Sequence, residues 1–209
     1  MERYKIEDKE QLDKWTDGNF EKLRYEYDLS KDSVCFDLGA FHCDWSIKIS
    51  DIYSNPVIYA FEPSLSFFNI ANDKIGERKN IKLFNYGLGK DNYNTQINIG
   101  PGQGVSTSLF VETEIKENII IKSIKDIFDE LNINTIHLMK INIEGSEYDV
   151  IECMLDNNIH TKVKNIQVQF HRLTDNYLDR YEKIKEKLSL THELTYSFPF
   201  IWENWRCNE

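Results

Sequence analysis

The sequence predicts a doubly wound α/β fold, in which a mainly parallel sheet carries helices on both faces. Short apolar runs, typical of buried strands, alternate with segments that have helical spacing. The second run starts at Val57, 23 residues after Val34, which leaves room for the crossover helix between parallel strands. Hydrophobic residues make up 41% of the 209 residues, and glycine and proline are few, which favours one compact core over a disordered chain.

Five apolar runs are the predicted strands, and they cover Val34–Leu38, Val57–Phe61, 81–88, 135–142 and 165–170. Apolar residues at helical spacing predict helices within 45–53, 67–75, 124–131, 150–155 and 177–188. Ser123 and Ser146 are each followed three residues later by an aspartate. This pattern predicts two helix starts, in which the serine side chain would cap the first turn.

Three segments lie outside the regular alternation. Residues 1–30 are predicted to form a helical cover, and residues 31–209 form the main domain. Within that domain, residues 89–121 resemble a hairpin excursion, and residues 192–207 resemble two closing strands or an extended tail. We expect the cover and the hairpin to lie on the substrate side of the fold.

Composition and charge exclude several classes of function. The net charge of −10 repels phosphate polymers and anionic lipids, so nucleic acid is not an expected partner. The first residues are charged and no apolar run approaches the ~18 residues of a membrane span, so we expect a cytoplasmic protein. The histidines and the four cysteines lack metal-ligand spacing, so no metal site is predicted, and we expect reduced thiols at Cys35, Cys43, Cys153 and Cys207.

The first two strands each end in an acidic residue. Asp37 ends the first strand and is followed by Gly39, which permits a backbone turn before the next helix. Glu62 lies at the tip of the second strand, where a carboxylate can accept hydrogen bonds from both hydroxyls of a ribose. Parallel strands bind ligands at their carboxyl ends, so these residues predict a ligand site at this edge of the sheet.

Polar residues also follow the later strands. Lys140, Asn142 and Glu144 occupy alternate positions in KINIEGSE, and His171 falls at a strand tip in QFH. Polar groups at buried strand ends are costly unless they have partners. A histidine that titrates near neutral pH suits proton abstraction, with Glu144 as the second choice of base.

Structural roles are open for each of these residues. Asp37 could cap the turn, Glu144 could stabilise the following helix through its dipole with Lys140 as its ion-pair partner, and His171 could be a buried core histidine. A nicotinamide or nucleotide-sugar enzyme would also place Glu62 on a ribose. However, the dinucleotide turn needs a second and a third glycine, which this chain lacks.

The chain resembles the FkbM family of S-adenosylmethionine-dependent O-methyltransferases. Six motifs occur in the family's order from residue 34 to about residue 205, and they read DLGAFHC, FEP, NYGLG, GVSTSL, KINIEGSE and QFH. Three positions depart from the family's pattern. Cys43 replaces the third glycine of the first motif, and Asn142 and Gln169 replace acidic residues.

The resemblance implies a class I methyltransferase fold with a seven-strand sheet and S-adenosylmethionine as cofactor. It implies that the amino-acid end of the cofactor contacts the first motif, the ribose contacts Glu62 and the adenine borders Gly87 and Leu88. The predicted cofactor-binding residues are Asp37, Gly39, Ala40, Phe41, Glu62, Pro63, Gly87 and Leu88. The predicted catalytic residues are His171, Lys140, Glu144 and Asn142.

The activity that the resemblance implies is methyl transfer to a hydroxyl of a carbohydrate or glycoconjugate precursor. Lys140 would orient the acceptor, and the neutral amides of Asn142 and Gln169 would favour an anionic acceptor. An alternative is a non-catalytic S-adenosylmethionine-binding module or partner subunit, which the departures from the motifs would explain. Homo-oligomer formation is left open.

Overall fold

A computed structural model describes residues 2–99, 107–108 and 115–208 of the chain. Its helices are α1 (Glu2–Asp17), α2 (Asp44–Ile52), α3 (Leu65–Ile75), α4 (Ile124–Leu131), α5 (Glu147–Asp156) and α6 (Tyr177–Leu188). Its strands are β1 (Val34–Leu38), β2 (Val57–Phe61), β3 (Ile81–Phe84), β4 (Gly87–Gly89), β5 (Tyr93–Ile99), β6 (Thr107–Ser108), β7 (Ile115–Ser123), β8 (Leu138–Ile141), β9 (Asn165–Val168), β10 (His192–Phe198) and β11 (Trp202–Cys207).

Seven strands form the main sheet in the order β10-β11-β9-β8-β1-β2-β3. Strands β9, β8, β1, β2 and β3 are parallel to one another, and β11 is antiparallel to both of its neighbours, β9 and the edge strand β10. The chain leaves β1 towards β2 on one side, whereas β8 pairs with β1 on the other. Such a reversal of strand order opens a crevice at the carboxyl ends of the strands.

Both faces of the main sheet are covered by helices. Alternate residues of β1 point to opposite faces, so Phe36 and Leu38 join one core and Cys35 joins the other. The first core contains apolar residues of α4, α5 and α6, and the second contains apolar residues of α2 and α3. This arrangement confirms the predicted doubly wound α/β class.

The predicted hairpin excursion is part of a second, four-stranded sheet in the order β4-β7-β5-β6. Strands β5 and β7 pair antiparallel from Tyr93 opposite Ile121 to Ile99 opposite Ile115. The prediction of a single strand over residues 81–88 is wrong, because β3 belongs to the main sheet and β4 pairs with β7. Asn85 lies between β3 and β4, and its side chain donates hydrogen bonds to the carbonyls of Glu62 and Pro63.

Both predicted helix starts are observed, but their predicted capping bonds are not. Ser123 and Ser146 occupy the N-cap positions of α4 and α5, and neither side chain makes a capping hydrogen bond. Instead, Glu147 accepts hydrogen bonds from the backbone N–H groups of Ile143 and Gly145. The Glu147 carboxylate thereby fixes the loop that leads into α5.

The N-terminal segment folds as helix α1 followed by a 3-10 turn at Phe20–Arg24. The Trp15 ring is buried against Phe198 of β10, with ring centroids 5.0 Å apart. Gln167 of β9 donates to the Arg24 carbonyl and thereby fixes the end of the turn to the main sheet. No helix within the described residues is long and apolar enough to cross a membrane.

Candidate functional site

A cavity of about 370 Å³ lies at the carboxyl ends of β1, β2 and β8. Ten of the predicted site residues line it, namely Gly39, Ala40, Phe41, Glu62, Pro63, Gly87, Leu88, Lys140, Asn142 and Glu144. Sequence reasoning did not assign nine further lining residues to the site, namely Arg24, His42, Asp44, Trp45, Ile97, Ile119, Ile121, Ile143 and Ser146. Two predicted site residues, Asp37 and His171, lie behind this lining.

The turn after β1 is built around Gly39. The N–H groups of Gly39 and Ala40 both donate to the carbonyl of Phe61, which joins the tips of β1 and β2. A Cβ atom at Gly39 would lie 2.0 Å from the carbonyl oxygen of Asn142. The close approach of the neighbouring loop and the positive φ of 76° therefore both require glycine at this position.

Left-handed backbone recurs on both walls of the cavity. Phe41 and Cys43 have φ angles of 51° and 58°, and Glu144 on the opposite wall has a φ of 52°. A non-glycine residue in this region costs on the order of 1 kcal/mol or more, and such strain often marks a binding site. Cys43 therefore keeps the backbone conformation that suits glycine. Burial raises the pKa of its thiol, which favours a packing role over thiol chemistry.

Asp37 does not face the cavity. It is fully buried, and its two oxygens accept hydrogen bonds from Lys140 Nζ at 2.9 Å and from Ser46 Oγ at 2.6 Å. Asp37 is also not part of the cavity lining, so the structure does not place it where it could contact the cofactor, contrary to the prediction. Its position indicates a structural role beneath the turn.

Lys140 also differs from its predicted role. Its ammonium group donates to Asp37 and to the carbonyls of Leu38 and Gly39, and the side chain is only 6% exposed. The salt bridge of Lys140 is with Asp37 rather than with Glu144. Three donors are already used, so Lys140 stabilises the turn after β1 and is not free to orient an acceptor.

Glu62 lies at the tip of β2, as predicted. Its carboxylate accepts hydrogen bonds from the N–H groups of Phe41 at 2.7 Å and Ser64 at 2.9 Å. Burial raises its pKa to about 7, although these hydrogen bonds and Lys140 act in the opposite direction. Each oxygen can accept a further hydrogen bond, so the carboxylate can still receive two hydroxyl groups.

Glu144, His171 and Glu147 form a row of titratable groups that runs away from the cavity. His171 Nδ1 lies 2.9 Å from Glu147 Oε1, and its Nε2 lies 3.5 Å from Glu144 Oε1. Burial lowers the pKa of His171, but the hydrogen bond to Glu147 and the charges of both glutamates outweigh it, so the net pKa is raised. Burial raises the pKa of Glu144. Of the three residues, Glu144 lines the cavity.

Four buried polar atoms of lining residues have no hydrogen-bond partner within the described part of the chain. They are the Nε of Arg24, the Nε2 of His42, the Nε1 of Trp45 and the Oδ1 of Asn142. The His42 ring is stacked on Phe41, with ring centroids 3.7 Å apart, and burial followed by the charge of Lys74 lowers its pKa. Buried polar atoms normally have partners, so these atoms indicate a polar ligand in the cavity.

The second sheet contributes an apolar wall to the cavity. Ile97 of β5 and Ile119 and Ile121 of β7 form a small buried cluster and line the cavity beside Gly87 and Leu88. The alternation of residues in these strands was the available sequence signal, but it did not show which site they would face. The glycine-containing segment 100–108, which could form a loop over the acceptor, lies outside the described residues apart from β6. The described residues contain no cluster of three or more His, Cys, Asp or Glu that could hold a metal.

Residues 32–198 match the family described as the methyltransferase FkbM domain. The crystal structure of methyltransferase FkbM from Methylobacillus flagellatus KT has a TM-score of 0.57 and 15% identity, covering 85% of this chain and 44% of that chain. A putative rRNA methylase from Clostridium thermocellum has a TM-score of 0.57 and 8% identity, covering 92% and 95% of the two chains. A fibrillarin pre-rRNA processing protein from Methanococcus jannaschii has a TM-score of 0.52 and 13% identity, covering 85% and 67%.

No curated protein matches the sequence. The structural similarities support a class I methyltransferase fold, as predicted. This chain spans less than half of the length of the solved FkbM methyltransferase.

Proposed function

Since the chain belongs to the FkbM methyltransferase family, we propose that it transfers a methyl group from S-adenosylmethionine to a hydroxyl oxygen of a carbohydrate or glycoconjugate precursor. The observation that carries the proposal is the combination of Glu62 at the tip of β2 with unpartnered polar atoms on the cavity wall. Glu62 is suited to a ribose, and Trp45 and Asn142 offer a donor and an acceptor. The cavity volume is within the usual range for small-molecule sites.

The cofactor would lie across the tips of β1 and β2. Its ribose hydroxyls would donate to Glu62, and its adenine would lie between Pro63, Leu88 and the isoleucines of the second sheet. Its amino-acid end would contact the turn from Gly39 to Phe41. When bound, the sulfonium supplies an electrophilic methyl group, so the protein has chiefly to align the acceptor oxygen and to remove its proton.

Glu144 is the residue best placed to receive the acceptor's proton, because it lines the cavity and His171 lies behind it. As the oxygen–carbon bond forms and the sulfur–carbon bond breaks, the hydroxyl proton would move to Glu144. It would then pass to His171 Nε2, while the hydrogen bond from Nδ1 to Glu147 stabilises the imidazolium. Asn142 would orient the acceptor through its unpartnered oxygen.

A neutral or small anionic acceptor suits the charge of the protein better than a polymeric phosphate. The net charge of −10 disfavours an RNA acceptor. Because Asn142 carries no charge where the family has an acid, an acceptor with a carboxylate would meet less repulsion there. Sugar acceptors that carry such groups are therefore the first to test.

The experiment is a methyl-transfer assay on a panel of nucleotide-linked sugars, with product mass measured for the wild-type protein, Glu144→Gln and Glu130→Gln. Glu130 is the control because it is an exposed glutamate on α4. We expect transfer by the wild-type protein and by Glu130→Gln, and a loss of about 100-fold or more in Glu144→Gln, as for a lost general base. S-adenosylhomocysteine binding without transfer to any acceptor would favour the non-catalytic binding module, and NAD binding would favour a nicotinamide enzyme.

A further inference from the structure

Arg24 is a cation on the cavity wall that comes from outside the family match. It ends the 3-10 turn at Phe20–Arg24, and the match to the FkbM domain begins only at residue 32. It nevertheless lines the cavity together with Gly39, Trp45 and Lys140. The motifs of the catalytic domain therefore do not account for this residue.

The guanidinium group is held in place from several sides. Its Cζ atom lies 4.0 Å from the centroid of the Trp202 ring, and its Nη1 donates to Glu21 Oε1 at 2.5 Å. The Arg24 carbonyl accepts a hydrogen bond from Gln167 on β9. The side chain is only 15% exposed. A planar guanidinium that is fixed in this way is preorganised for a carboxylate.

Arg24 still has hydrogen-bonding capacity towards a ligand. Its Nε atom is buried and has no hydrogen-bond partner within residues 2–99, 107–108 and 115–208. The other lysine or arginine on the lining is Lys140, whose ammonium donates to Asp37 and to two carbonyls. Arg24 is therefore the lining cation that offers a donor to an incoming anion.

The position of Arg24 identifies which end of the ligand it faces. The neighbouring Tyr25 packs against the core cluster that contains Ala40, Cys43 and Trp45, beside the turn after β1. Gln167 ties Arg24 to β9, whereas Glu62 lies on β2, which is on the other side of β1 and β8. A nucleoside whose ribose is held by Glu62 would therefore extend its substituent towards Arg24.

We propose that Arg24 binds the α-carboxylate of the amino-acid end of the cofactor. This inference rests on the proposed function, since it needs S-adenosylmethionine in the cavity. It assigns the N-terminal segment a part of the binding site, in addition to its packing against β10. An anionic acceptor is the other possible source of a carboxylate, and the experiment distinguishes the two.

The experiment compares calorimetric affinities for S-adenosylhomocysteine and for its decarboxylated analogue, which differ only in the carboxylate. The variants are Arg24→Gln, Arg24→Lys and, as control, Arg206→Gln, which removes an exposed arginine paired with Glu193. We expect Arg24→Gln to weaken S-adenosylhomocysteine binding by about 10- to 100-fold, as for a hydrogen bond to a charged group, and to leave the analogue within about threefold. Arg24→Lys keeps the positive charge, so its affinity for S-adenosylhomocysteine should fall by less. The Arg206→Gln control should bind both ligands as tightly as the wild-type protein.

If Arg24→Gln weakened the binding of both ligands equally, the proposal would be overturned, because the loss would indicate that Arg24 has a structural role. Unchanged affinity for both would also overturn it, and a raised KM for an anionic acceptor would then assign Arg24 to the acceptor. If the wild-type protein bound the decarboxylated analogue but Arg24→Gln did not alter the preference for S-adenosylhomocysteine, this inference alone would fail. If the wild-type protein bound neither ligand, the proposed function would fail as well.

Discussion

The raised pKa of Glu62 predicts that nucleoside binding weakens as the pH is lowered. Ribose hydroxyls donate hydrogen bonds, so they bind best to the ionised carboxylate, and burial raises the pKa of Glu62 to about 7. With that pKa, about one-eleventh of the carboxyl groups are ionised at pH 6 and about ten-elevenths at pH 8. The affinity at pH 6 should therefore be about tenfold lower than at pH 8, which corresponds to about 1.4 kcal/mol.

The assay is calorimetric titration with 5′-methylthioadenosine between pH 6 and pH 8. This ligand carries the ribose but no amino acid, so its own amine cannot contribute a titration. The Glu62→Gln variant should bind 5′-methylthioadenosine more weakly than the wild-type protein at pH 8, and its affinity should not change tenfold between pH 6 and pH 8. Its single amide oxygen also cannot accept from both Phe41 and Ser64, which now donate to separate oxygens.

A matched control comes from a second buried glutamate. Glu203 of β11 is buried outside the cavity lining, and burial raises its pKa too, but it is engaged by the hydroxyl of Tyr181. Glu203→Gln should therefore keep the wild-type pH dependence. A flat profile in the wild-type protein, or the same slope in Glu62→Gln, would show that Glu62 does not hold the ribose.

Four further predictions concern the turn after β1 and the proton route. His171→Ala should leave S-adenosylhomocysteine affinity within about threefold and lower turnover by about 100-fold, which single-turnover kinetics would show, and unchanged turnover would remove His171 from the route. Wild-type turnover should also fall as the pH drops through the raised pKa of His171, since the imidazolium cannot accept a proton. Lys140→Met should cost about 3–5 kcal/mol in urea unfolding by leaving Asp37 buried and unpaired, and a cost below about 1 kcal/mol would contradict this. Gly39→Ala should prevent stable folding or sharply lower Tm, because its Cβ would meet the Asn142 carbonyl, and a Tm equal to wild type would refute the clash.

Local sequence patterns were sufficient to predict most strands of the main sheet and part of the candidate site. Strand periodicity and apolar runs report burial, so β1, β2 and the positions of α2 to α6 could be predicted without contacts. In a parallel sheet the carboxyl ends of neighbouring strands share one edge, and this rule brought Gly39, Glu62 and Asn142 together correctly. The prediction was wrong over 81–88 because one apolar run serves two different sheets.

Partners of individual side chains depended on strand order and register, which local patterns do not encode. Asp37 and Lys140 are 103 residues apart in sequence but lie opposite each other on β1 and β8, so each neutralises the other and both are removed from ligand binding. Likewise, only the docking of the N-terminal turn on β9 brings Arg24 to the cavity. The sequence by itself determined which residues are buried and which strand ends carry polar groups. The tertiary structure decided which of those groups already have partners, because hydrogen bonds and ion pairs form between segments that are distant in the chain.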